Sequence, residues 1–102
     1  MELKIRHSLF TKIANEQKKS TSRLGERDVK VGEKLIFRST DDENFAYETT
    51  VIGVKVCKFS DITEEDAKME GYASLEEMTS SLKNVYEFDE NSVFTLIKFK
   101  WN

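Results

Sequence analysis

Six consecutive residues, Lys18-Lys19-Ser20-Thr21-Ser22-Arg23, interleave three hydroxyls with three long cations. That mixture suits a carbonyl, an oxyanion or a phosphate, because Lys and Arg bring charge-assisted donors and a hydroxyl donates or accepts. The same string also suits a solvated surface, so the run alone names no chemistry. Glu70 is a candidate from far along the chain. It stands just before the helix-ending Gly71, where the helix dipole disfavours a carboxylate. His7 reads as a strand-end residue pairing locally, and Cys57, within an apolar strand, as a small buried hydrophobe. Tyr72 and Trp101 could stack on a base or lid the core. The four glycines match neither the dinucleotide fingerprint nor a phosphate-binding P-loop.

Any such site must be carried by one small domain. The 102 residues are 38% hydrophobic, 34% charged and 11% aromatic, with no proline, which is a globular composition. No apolar run reaches the roughly 20 residues a bilayer helix needs, and MELKIRHSLFTK lacks the apolar stretch of a secretory signal. A cytoplasmic, membrane-free protein is the expectation. With one cysteine and one histidine, an internal disulfide is excluded and no metal or other cofactor is expected. Net charge is -3 but uneven: residues 1–40 carry ten bases against five acids, residues 41–102 six against fourteen. That total argues against duplex DNA as a partner and leaves room for a small basic pocket holding one nucleotide or a short single strand.

The elements follow from periodicity. Glu2 to Arg6 alternates as a short strand, and Ser8 is placed to cap a helix running to about Gln17 through Leu9, Phe10, Ile13 and Ala14, with Lys12 and Glu16 facing solvent. The polar segment from Lys18 to Gly32 looks like a poor core element with a brief strand at Ser20–Arg23. Lys34–Arg38 is a strand, followed by a turn at Asp41-Asp42-Glu43-Asn44. Phe45–Phe59 is a long strand whose Gly53 marks a bulge. Thr63 opens a helix ending at Gly71, Ser74 with Glu77 opens another towards Tyr86, and Ser92–Trp101 is a closing strand with both faces partly covered. Phe10, Ile13, Ile36 and Leu82 are expected in the core. Short turns between strands make a small curved or closed sheet with helices plugging its ends the economical architecture.

Read together, these features resemble the ASCH domain, a small member of the PUA-like superfamily of β-barrels. The likeness spans nearly the whole chain. A first helix is followed by the Lys-x-x-Thr-x-Arg signature, here Lys18, Thr21 and Arg23, then the segment Lys30 to Leu35 and a helical insertion carrying Glu70-Gly71. The signature is usually entered through a glycine, where this chain has Glu16 and Gln17. The resemblance implies a mixed, β-rich barrel of five or six strands with about three short helices, filling residues 1–102 as one domain. Among such compact domains are bacterial N4-acetylcytidine amidohydrolases, whose proposed catalytic Lys, Thr and Glu fall on Lys18, Thr21 and Glu70. Arg23, Lys19 and Tyr72 would then bind substrate.

The implied activity is metal-independent hydrolysis of an N-acyl amide on a pyrimidine nucleoside. Lys18 would take a proton or hold the oxyanion, Thr21 attack or orient the carbonyl, and Glu70 deliver a proton to N4. A free Lys titrates at about 10.4, so burial or a neighbouring cation such as Arg23 has to bring it towards neutrality. The alternative is non-catalytic recognition, in which the same pocket reads a modified base in short single-stranded RNA. Protein partners are not legible in the sequence.

Overall fold

Thirteen consecutive residues, Ala46–Lys58, form one strand that bends where Gly53 shifts its register against its neighbour. The bend lets one strand serve two partners. Its first residues, from Ala46 to Thr50, pair with the strand Lys34–Ser39, and from Thr49 to Lys58 it pairs with the closing strand. The computed structural model describes residues 1–15, 17–42 and 44–101. The order is β1 (Glu2–Ile5), α1 (Leu9–Ala14), β2 (Ser20–Leu24), β3 (Lys34–Ser39), β4 (Ala46–Lys58), a single 3₁₀ turn (Phe59–Asp61), α2 (Glu64–Met69), α3 (Leu75–Lys83) and β5 (Val93–Trp101). The five strands form one curled mixed sheet in the order β1-β3-β4-β5-β2, with β1 parallel to β3 and the other pairs antiparallel. Three short helices pack at its ends, the architecture expected above.

β5 separates two apolar clusters. Ile97 and Phe99 face the inside of the curl with Leu3, Ile5, Phe10, Ile13, Leu35, Phe37 and Val51. Phe94 and Leu96 face the other way, against Ile62, Ala67, Met78 and Leu82 from the segment of α2 and α3. A strand buried on both faces reads as a near-continuous apolar run, as VFTLIKF does. Helix starts follow their caps. The Thr63 hydroxyl accepts from the Asp66 N–H while the Asp66 carboxylate accepts from the Thr63 N–H, and the Ser74 hydroxyl accepts from the Glu77 N–H.

Several expectations are corrected. Phe10, Ile13 and Leu82 are buried, but Ile36 is only half-buried. The strand's two-residue period turns Leu35, Phe37 and Ser39 inward, which sends Ile36 to the opposite face. α1 stops at Ala14, and Ser8 precedes it without a side-chain capping bond. α3 stops at Lys83, short of Tyr86. Cys57 is half-buried rather than buried. The polar segment after α1 is part of the interior: Lys18, Ser20, Thr21, Ser22 and Val29 are all buried. The expectations for Glu16 and Glu43 lie outside the described residues.

Candidate active site

β2 is an edge strand, and its free edge carries the signature. Its odd residues bond to β5, as the flanking pairs Phe99 N–H to Lys19 O and Gly25 N–H to Val93 O show. The even residues therefore turn their backbone groups outward. Each outward carbonyl accepts from a cationic side chain of its own segment. Lys18 Nζ donates to Ser20 O at 2.9 Å, Arg23 NH1 to Ser22 O at 2.7 Å and Arg27 Nε to Leu24 O at 3.1 Å. Interleaved cations thus satisfy an edge that would otherwise solicit another strand.

Side chains alternate across β2 as well. Thr21 and Arg23 lie opposite Ile97 and Thr95, on the inner side of β5, and Arg23 NH1 donates to Thr21 Oγ1 at 2.8 Å. Ser22 lies opposite Leu96, on the side of α2, where its hydroxyl donates to the Glu70 carboxylate. Glu70 is held there by the end of its helix. It is the C-cap of α2, and Gly71 follows with φ +94°. The Gly71 N–H bonds to Lys68 O and the Tyr72 N–H to Ala67 O, a Schellman turn that fixes both flanking side chains. The last helical carbonyl, Met69 O, accepts from the Lys19 N–H, which ties this turn to the start of β2.

The result is a buried ion pair. Lys18 Nζ stands 3.9 Å from Glu70 Oε1, with the two side chains 6% and 3% exposed. Loss of water outweighs the mutual attraction for both partners. Burial lowers the Lys18 ammonium to about 8, with Arg23 and Lys12 adding repulsion and Glu70 opposing. Burial likewise raises the Glu70 carboxyl, opposed by Lys18, by the Ser22 hydrogen bonds and by Arg23. Thr21, between them in sequence, is 2% exposed.

A cavity of about 260 Å³ opens onto these groups. Lys18, Thr21, Ser22, Arg23 and Glu70 form one part of its lining, and Tyr72, Leu82, Val85 and Tyr86 an aromatic and apolar wall. Tyr72 also donates to Ser81 Oγ, another lining residue. The structure brings Lys18, Thr21, Arg23, Glu70 and Tyr72 to this one space. Lys19 does not join them: it has the parity of Thr21 and Arg23 but stands at the other end of β2, opposite Phe99, where it is exposed and lines a separate cleft with Trp101 and Phe99. His7 lies elsewhere, beside Ser39 and the rings of Phe10 and Phe45. Trp101 is a lid on the inner core, donating to Ile13 O. Sequence reasoning missed Ser22 as a partner of Glu70, and Tyr86 as a wall. The alternation in Ser-Thr-Ser-Arg was the available signal for the first. Among the described residues no three His, Cys, Asp or Glu side chains gather as a metal site would need.

No protein-family model and no curated protein matches the chain. Solved structures do. The ASCH domain from Lactobacillus crispatus JV V101 superposes with a TM-score of 0.76 at 21% identity, covering 89% of this chain and 68% of its own. The hypothetical protein PH0355 gives 0.75 at 18% identity over 99% and 97% of the two chains. Protein EF3133 from Enterococcus faecalis V583 gives 0.69 at 15% identity over 92% and 69%. The chain has the fold of an ASCH domain.

Proposed function

We propose that the protein hydrolyses the acetyl amide of N4-acetylcytidine, or of a closely related N-acylated pyrimidine nucleoside, giving cytidine and acetate. The observation that carries this reading is the buried Lys18–Glu70 pair, lining one cavity with Thr21 and Arg23. The nucleoside itself comes from the resemblance of Lys18, Thr21, Arg23 and Glu70 to the ASCH signature of the amidohydrolases.

Amide hydrolysis needs an activated water, a place for the oxyanion and a proton for the departing amine. Arg23 donating to Thr21 Oγ1 ties up a lone pair of the hydroxyl and leaves its proton free. That supports Thr21 as a donor to the carbonyl oxygen, with water as the nucleophile. Lys18, at about 8, is partly neutral near physiological pH and takes the water's proton as its oxygen bonds to the carbonyl carbon. The raised Glu70 carboxyl gives its proton to N4 as the C–N bond breaks, releasing cytidine and acetic acid, which ionises into solvent. Lys18 then returns its proton to Glu70 across the pair. The two buried groups hold the same number of protons as an ion pair and as a neutral pair, so the cycle closes without importing charge. Tyr72 and Tyr86 offer ring faces to the pyrimidine.

The test is incubation of the purified protein with N4-acetylcytidine across about pH 6–9, following cytidine by chromatography. Stoichiometric cytidine and acetate are expected. Binding of the nucleoside without turnover would move the site to recognition of a modified base, and absence of both would discard the substrate.

A further inference from the structure

The cavity's lining also includes residues from the other edge of the sheet. Lys4 and Arg6, from β1 and its end, line the cavity together with Thr40. β1 and β2 are the outermost strands of the sheet order, so the curl brings its two edges to opposite sides of one opening. The strand's alternation explains the arrangement: Leu3 and Ile5 turn into the core, which leaves Lys4 and Arg6 exposed. Neither makes an ion pair among the described residues, whereas Arg38 and Lys34 on the adjacent strand do, with Glu2 and Glu48. Among the described residues, the lining therefore holds four cations, Lys4, Arg6, Lys18 and Arg23, against the single carboxylate of Glu70.

Size says what reaches that edge. At about 260 Å³ the cavity falls just below the roughly 300–1,000 Å³ of clefts that enclose a drug-sized ligand. On the reading above, a pyrimidine with its acyl group would occupy it, and the sugar with its substituents would stand at the mouth. Lys18 and Arg23 already donate to β2's own carbonyls, so the uncommitted cations at the mouth are Lys4 and Arg6.

We propose that Lys4 and Arg6 form a phosphate subsite, so that this cavity holds a cytidine nucleotide carrying a 5′-phosphate more tightly than the free nucleoside. The proposal rests on the functional reading above for the identity of the base, and its own content is the phosphate. Two exposed cations and a hydroxyl donor, Thr40, share this lining, a set that suits a dianion, and salt screens such an attraction over about 10 Å at 0.1 M.

The experiment is an NMR titration of the protein with cytidine, cytidine 5′-monophosphate and inorganic phosphate at low ionic strength, run on the wild type and on Lys4→Ala/Arg6→Ala. Both substitutions are at exposed positions, and far-UV circular dichroism checks the fold. The monophosphate should bind about tenfold more tightly than cytidine, with shifts at the Lys4–Arg6 amides that phosphate alone reproduces more weakly. The double substitution and added salt should remove that advantage. Equal affinity for the two ligands, an advantage that survives the double substitution, or shifts confined elsewhere would overturn the proposal. A parallel arm with adenylyl-(3′→5′)-cytidine separates the sources: a gain kept there marks a phosphodiester, a gain lost there a terminal phosphate. Hydrolysis of N4-acetylcytidine is scored separately. Its failure alongside a phosphate-dependent gain would sink the reaction and leave the subsite standing.

Discussion

The Lys18 ammonium faces the Glu70 carboxylate at 3.9 Å, with the two side chains only 6% and 3% exposed. Such a pair costs stability in the native state, because desolvation of two charges exceeds what their attraction returns. It stands where one cavity also meets Thr21 and Arg23, and in the proposed reaction its value is the protonation states it makes accessible.

The pH dependence of stability should show the pair directly. Lys18 titrates at about 8 in the folded chain and at about 10.4 when unfolded. Below the folded value both states are protonated, and the full burial cost is present. Between the two values the unfolded chain binds more protons, so stability rises with pH, by on the order of 3 kcal/mol in all. Urea unfolding of the wild type should register this rise, and Lys18→Met should abolish that component.

Ser22 should tune the site without touching substrate. Its hydroxyl donates to Glu70 and favours the ionised carboxylate. In Ser22→Ala the carboxyl holds its proton more tightly, and the acid limb of the kcat/KM profile should move to higher pH. Ser22→Thr, which keeps the hydroxyl, should restore the limb. A loss of rate with no displacement of the limb would mean a packing role only.

Thr95 should matter for stability beyond its size. Its buried hydroxyl accepts from the Arg27 N–H at 2.9 Å and donates to Gly25 O at 2.7 Å, clamping the turn that leaves β2. Thr95→Val keeps the shape and strands both backbone groups, at a cost of about 2–3 kcal/mol in chemical denaturation. Thr95→Ser should lose less than half of that.

Gly71→Ala should cost about 1–3 kcal/mol, because φ +94° is strained for any L side chain. The new methyl would also stand 3.2 Å from the carbonyl oxygen of Gln17. Since Gly71 closes the turn that presents Glu70, turnover should fall along with the urea midpoint.

Elements with strong periodicity were legible in the sequence. The alternation of Val93–Trp101 gave β5, Gly53 its bulge in β4, and the Thr63–Asp66 spacing a cap whose two bonds both form. The phase of a short strand was not. Lys34–Arg38 offers Leu35, Ile36 and Phe37 in a row, and only the pairing with β1 and β4 decides that Ile36 faces away. β2 was harder, because hydroxyls and cations give no apolar pattern. Its burial is created by β5 on one side and the end of α2 on the other. For the candidate site, Lys18, Thr21, Arg23 and Glu70 came together only through the resemblance; the helix stop at Gly71 made Glu70 a candidate and gave it no role. Lys19 shared their composition but stands at the far end of β2, beside Phe99 and Trp101. Lys4, Arg6 and Tyr86 reach the cavity only through the curl of the sheet and the path after α3, which no local pattern encodes.

The most direct measurement compares cytidine release from N4-acetylcytidine by the wild type with that by Lys18→Ala, Thr21→Ala and Glu70→Ala, each checked for folding. Removing one group that acts in the transition state should lower kcat by about 10²–10³-fold. Lys18→Ala/Glu70→Ala should be hardly worse than either single variant, because the two act as one unit. Wild-type turnover retained in all three single variants would contradict the site, whatever the substrate.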